Sequence, residues 1–101
     1  MKVLLVRPGK YPVITSMNNE LSSMQEAVGG WIEIHPLSNG VYLYCNEEGA
    51  ICGLPVNRCV VDAETGIPVG TIYGTFFLCE RNGSEAASIS KENAEKYMKL
   101  L

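Results

Sequence analysis

The sequence offers a single histidine, His35, so imidazole acid–base chemistry near neutral pH has one candidate residue. Long apolar runs are absent. Val3-Leu4-Leu5-Val6 stops at Arg7-Pro8, too short for the apolar heart of a secretion signal and far short of the roughly 20 residues a membrane helix needs. Positive charge is scarce and dispersed: 8 Lys and Arg stand against 11 Asp and Glu, for a net charge of −3. Nothing gathers the cations on one face except the weak Lys96/Lys99 pair, so phosphate-backbone binding is disfavoured. No glycine-rich phosphate cradle and no Gly-x-Ser-x-Gly elbow occurs. Glu47 and Glu48 are adjacent and do not form a glycosidase pair, and the Asp62–Gly66 loop lacks the later carboxylates of a calcium loop.

Cysteine is present but sparse. Cys45, Cys52, Cys59 and Cys79 are separated by 7, 7 and 20 residues, with none of the short pairs that typify structural zinc sites. Cys45, Cys52 and Cys79 fall in apolar strand patterns and read as small hydrophobes. No metal and no cofactor is expected. Without an export pattern the thiols are expected reduced and the protein cytoplasmic, which leaves Asn82-Gly83-Ser84 as a plain polar turn.

What is there suffices for a folded domain. Apolar residues make up 47% and charged residues 19% of 101 residues, and no repeat or linker divides the chain, so one domain spanning 1–101 is expected. Val3–Val6 and Pro12–Thr15 read as strands around the turn at Arg7–Lys10. Leu21, Met24 and Val28 share a helical face, with Asn19 as the expected N-cap and Gly29 as the stop. Trp31–His35 and Val41–Cys45 read as strands joined through a turn at Asn39-Gly40. The turn Asn46–Gly49 is expected to send Ala50–Cys52 back as a hairpin arm. Gly53–Arg58 then breaks the pattern as an irregular segment. Cys59–Val61 and Ile67–Val69 flank a hairpin loop, and Thr71–Leu78 reads as one strand interrupted by Gly74. Ser90 caps a final helix that carries Ala94, Tyr97, Met98 and Leu101 on one face. The order predicts an α+β, two-layer single domain, its mostly antiparallel sheet covered on one face by two helices.

The candidate binding residues fall between Asn46 and Thr75. Gly53 opens an irregular Gly-Leu-Pro turn that can expose backbone donors, and Asn57 and Arg58 follow it with an amide and a guanidinium suited to a carboxylate or phosphate. Asn46 and Glu47 lie across the adjacent turn. Thr71, Tyr73 and Thr75 share a strand face, and Gly74 can admit a ligand to the backbone. The plainer alternative makes Asn57 a turn cap and pairs Arg58 with a carboxylate such as Glu47.

Several strings together resemble a known family: Arg7-Pro8-Gly9-Lys10, Met24 through Glu33, Cys45 through Gly49, Gly53 through Arg58, and Gly74 through Leu78. They resemble a small family of unknown function found mainly in bacteriophages, plasmids and conjugative elements of Gram-positive bacteria. Trp31, where Tyr is common, and Cys59, where a small apolar residue is common, depart from its pattern. The resemblance implies a mobile-element accessory protein acting in the host cytoplasm and carries over no catalytic residue. The expected function is therefore non-enzymatic: binding and blocking a host protein, or sequestering a small anionic, nucleotide-like ligand such as a defence signal, with self-association adding stability to a small subunit. Two alternatives stand beside it. One is a small hydrolase with a site assembled from distant residues, which His35 near a thiol in a cleft would favour. The other is a regulatory module docking through a sheet edge.

Overall fold

The computed structural model describes residues 1–101. Eight strands and two helices follow one another as β1 (Lys2–Val6), β2 (Val13–Ser16), α1 (Leu21–Val28), β3 (Ile32–Pro36), β4 (Tyr42–Asn46), β5 (Val56–Val61), β6 (Pro68–Tyr73), β7 (Phe76–Asn82), β8 (Glu85–Ala87) and α2 (Lys91–Leu100). The main sheet runs β2-β1-β7-β4-β3, with β8 paired to β7, and β5 and β6 form a separate two-stranded ribbon. Every pairing is antiparallel, so the α+β class and the antiparallel sheet hold.

The helices do not share a face. Phe76 and Leu78 of β7 pack with Leu43 and Cys45 of β4 beneath α2, whose Ala94 and Tyr97 join the same cluster together with Val60 and Ile72 of the ribbon. Their neighbours Phe77, Cys79 and Tyr44 point the other way and pack with Met24 and Val28 of α1. The sheet is thus sandwiched, and a strand covered on both sides reads as an unbroken apolar run rather than an alternation. The run Phe76–Cys79, buried throughout, is such a strand.

Local departures from the sequence reading have local causes. Glu20, not Asn19, stands at the N-cap of α1 and makes no side-chain cap bond. Asn19 instead donates to the Ala86 carbonyl at 2.6 Å, tying the helix entry to β8. Gly29 does stop the helix, left-handed at φ 84°, its N–H returning to Gln25. Ala50–Cys52 forms turns rather than a hairpin arm, leaving Ile51 and Cys52 exposed. The segment from Gly53 is irregular only as far as Pro55; Val56 to Val61 is strand β5, with a register shift between Val56 and Arg58.

Thr71–Leu78 divides at Gly74 into β6 and β7, which belong to different sheets. Gly74 has φ 80°, and a Cβ there would lie 2.7 Å from Leu54 Cδ1. Its missing side chain admits Leu54 and permits the turn between sheets. At the other end of the chain, Ser90 caps α2 as expected, accepting from the Asn93 N–H at 3.2 Å.

Candidate functional site

Two concavities lie on opposite faces of the main sheet. On the α1 face, a groove of about 430 Å³ has Leu21 and Met24 of the helix as one wall and Ile32, Ile34 and Tyr44 of β3 and β4 as its floor. Arg81 of β7 and Ser84–Ala86 form the far wall, and Asn19 closes an end. Strand periodicity builds the floor, since Ile32 and Ile34 share a face of β3 and Ile34 opposes Tyr44 in the ladder. Leu21 and Ile34 remain substantially exposed at the rim.

Arg81 brings the one positive charge to this groove. Its Nη1 donates to the Tyr44 hydroxyl at 3.0 Å and its Nη2 to the Ser84 carbonyl at 2.8 Å, while the guanidinium sits 5.5 Å from the Tyr42 ring centre. These bonds engage only part of its donor fork and hold the rest in a fixed orientation. The Tyr44 ring stacks on Phe77 with centroids 5.0 Å apart. Burial, reinforced by Cys79 and opposed by Arg81, raises the Tyr44 pKa, so its hydroxyl keeps a proton to donate.

The second concavity, of about 230 Å³, lies on the other face, between β3–β4 and the ribbon. Glu33, His35 and Cys45 line it together with Asn46, Glu47 and Gly49, and Thr71 and Tyr73 face them from β6. Glu33 pairs with Cys45 in the ladder and His35 lies two residues along, so the three side chains project from the same face. Their potential ligand atoms all lie within 4.8 Å of one another. The Cys45 thiol is pushed up to about 11, first by burial and then by the Glu33 charge, so it is a neutral thiol near pH 7.

The residues singled out by sequence divide among several places. Asn46 and Glu47 line the second concavity, but the Asn46 side chain is occupied, donating to the Val28 carbonyl and accepting from the Glu48 N–H. Asn57 and Gly74 are brought into contact, the Asn57 amide donating to the Gly74 carbonyl at 2.8 Å and to that of Val6 at 2.9 Å. Gly74 and Thr75 line a third, shallow depression beside Leu54 and Pro55. Gly53 is exposed in its turn at φ 73°. Arg58 bonds no Asp or Glu side chain, Glu47 included; it donates to the Lys10 carbonyl at 2.8 Å and to the main-chain oxygen of Leu101 at 3.2 Å. The seven residues do not converge on one site.

Sequence reasoning missed Arg81, Tyr44 and the Glu33–His35–Cys45 trio. Period-two alternation carried part of the signal. Glu33 and His35 had to share a face if Trp31–His35 was a strand, and the turn at Asn39-Gly40 implied its pairing with the strand containing Cys45. The register of that pairing was the missing quantity.

The chain matches a family model described as Domain of unknown function (DUF3846) over residues 1–101. No curated protein and no solved structure matches it.

Proposed function

Starting from the fact that the chain belongs to this family of unknown function, we propose that it is a non-enzymatic accessory protein of a phage or other mobile element, acting in the host cytoplasm by sequestering a small, planar, anionic ligand of nucleotide type. The observation that carries this reading is the groove on the α1 face: an apolar floor with an aromatic ring, and one fixed guanidinium at its edge. A flat base packs against such a floor by apolar burial, and a phosphate accepts from the free side of Arg81. Glu85 at the same wall repels accumulated negative charge, so a cyclic nucleotide or monophosphate fits better than a polyphosphate. No helix is long and apolar enough to cross a membrane.

Thermal-shift and calorimetric titration against cyclic and linear nucleotides tests this. At least one is expected to bind, and Arg81→Ala to weaken it by about 10–100-fold, as loss of a charge-assisted hydrogen bond does. Arg58→Ala, which removes a cation that does not line the groove, is expected to leave affinity unchanged. Silence across the panel, or equal affinity in Arg81→Ala, rejects the reading. Sedimentation with and without the bound nucleotide reads out the self-association that a small subunit invites.

The closeness of His35 to Cys45 favours the hydrolase alternative in one respect, since both line a cleft. A thiol raised by burial and by a neighbouring carboxylate is, however, the opposite of an activated nucleophile.

A further inference from the structure

We propose that Glu33, His35 and Cys45 form a binding site for one divalent transition-metal ion, zinc by the chemistry of the ligand set, with a coordination position left open to the cleft. The site lies on the sheet face opposite the groove and shares no residue with it, so each proposal can fail alone.

The backbone supplies the placement. Antiparallel pairing sets Glu33 directly across from Cys45, and the two-residue strand period puts His35 on the same side. The result is one carboxylate, one imidazole and one thiol, with potential ligand atoms all within 4.8 Å of each other and Glu33 Oε2 already 3.5 Å from His35 Nε2. In a tetrahedral zinc centre with bonds of about 2.0–2.3 Å, neighbouring ligand atoms stand roughly 3.3–3.8 Å apart. Glu33 and His35, both partly exposed on the edge strand β3, have room to rotate toward Cys45 and close the remaining distance. Cys45 is fixed, 3% exposed in the core cluster, with its side chain reaching the cleft.

Sulfur, nitrogen and oxygen in one site suit zinc better than a hard cation such as magnesium or calcium, which prefers oxygen alone. Three protein ligands with an open position are the pattern of zinc sites that engage water or a further ligand, whereas purely structural sites close with four. The cleft of about 230 Å³ leaves room for that fourth group, and Thr71 and Tyr73 form its far wall. Coordination converts the Cys45 thiol to a thiolate, and its proton leaves to solvent.

The competing thiols are Cys52 and Cys59, both exposed. The test therefore uses the full chain with Cys52→Ser and Cys59→Ser, reduced and stripped with chelator, and titrates it with cobalt(II) as the spectroscopic probe. We expect saturation at one ion per chain, a thiolate-to-cobalt charge-transfer band, tetrahedral visible absorption, and displacement of both signals by zinc. Cys45→Ser is expected to abolish the charge-transfer band. His35→Gln and Glu33→Gln are each expected to weaken binding by more than the roughly 10–100-fold that loss of an outer hydrogen-bond partner costs. These two substitutions fall on an edge strand and keep the test decisive if Cys45→Ser does not fold, as judged by circular dichroism. Absence of the band in the Cys52/Cys59-free chain, its survival in Cys45→Ser, or unchanged affinity in both His35→Gln and Glu33→Gln would overturn the proposal.

Discussion

Asn57 holds the end of β1 and the turn at Gly74 together through a single carboxamide, which donates to both carbonyls while its own Oδ1 is buried without a partner. Replacing it with Ala strands two acceptors, and we expect a loss of about 1–3 kcal/mol in urea denaturation, with little change for exposed Asn18 treated the same way. Gly74→Ala should cost a comparable amount for two separable reasons, a left-handed backbone and a 2.7 Å encounter with Leu54. Leu54→Ala/Gly74→Ala should therefore be less destabilised than the sum of its single variants, and strict additivity would contradict the steric half of the argument. Polar residues around an irregular segment could be picked out from sequence, but their partners could not. Asn57 reaches Val6 across 51 positions, and Arg58 reaches Lys10 and Leu101 across 48 and 43. The same side chains that look poised for a ligand satisfy distant main-chain oxygens, and only the fold distinguishes the two uses.

Helix α2 shows how an element's ends report on the rest of the chain. Ser90 supplies the cap, and Ser90→Ala should cost about 1 kcal/mol. Just outside it, Glu80 of β7 accepts from the Ser90 N–H and from Asn93 Nδ2, which ties the helix start to the central strand. Burial pushes the Glu80 carboxyl up, but these donors outweigh it and hold its pKa below the usual range. Asp62 follows the same pattern, with burial opposed by the N–H groups of Glu64, Ser38 and Thr65. A carboxylate with a depressed folded-state pKa contributes stability above its unfolded value and loses it as pH falls through the folded one. Urea midpoints should therefore drop from about pH 4 downward, and Glu80→Gln should lower the neutral-pH midpoint while flattening that acid limb. An unchanged acid limb would show that Glu80 contributes nothing there. The Ser90 cap was legible because a cap is a local contract between residues three apart. The misread of Asn19 was local as well: a suitable cap residue stood one place too early and was taken by β8.

At the scale of the whole molecule, the expected two-layer arrangement gave way to a sheet covered on both sides. The clue lay in Phe76–Cys79 and Leu43–Cys45, which are apolar at consecutive positions where a half-exposed strand would alternate. What remained hidden was which helix took which face, because the hydrophobic stripes of α1 and α2 carry no address. The two clusters meet only through the sheet. Val28 lies in the α1-side cluster and Val60 in the α2-side cluster, both almost wholly buried. Each Val→Ala change removes about two methylene-equivalents of burial and leaves a small cavity, a cost of about 2 kcal/mol. Sharing no partners, the two losses should add to within a few tenths of a kcal/mol in the double variant. Sharing strand β7, the clusters should still melt as one unit, with far-ultraviolet dichroism and the near-ultraviolet dichroism of buried Tyr44 and Tyr97, one in each cluster, tracing the same transition. Two separated transitions would mean that β7 does not couple the faces, and a nucleotide in the groove would then stabilise only the α1 side. A single transition means that occupancy of the groove on one face must raise the stability of the Glu33–His35–Cys45 cleft on the other.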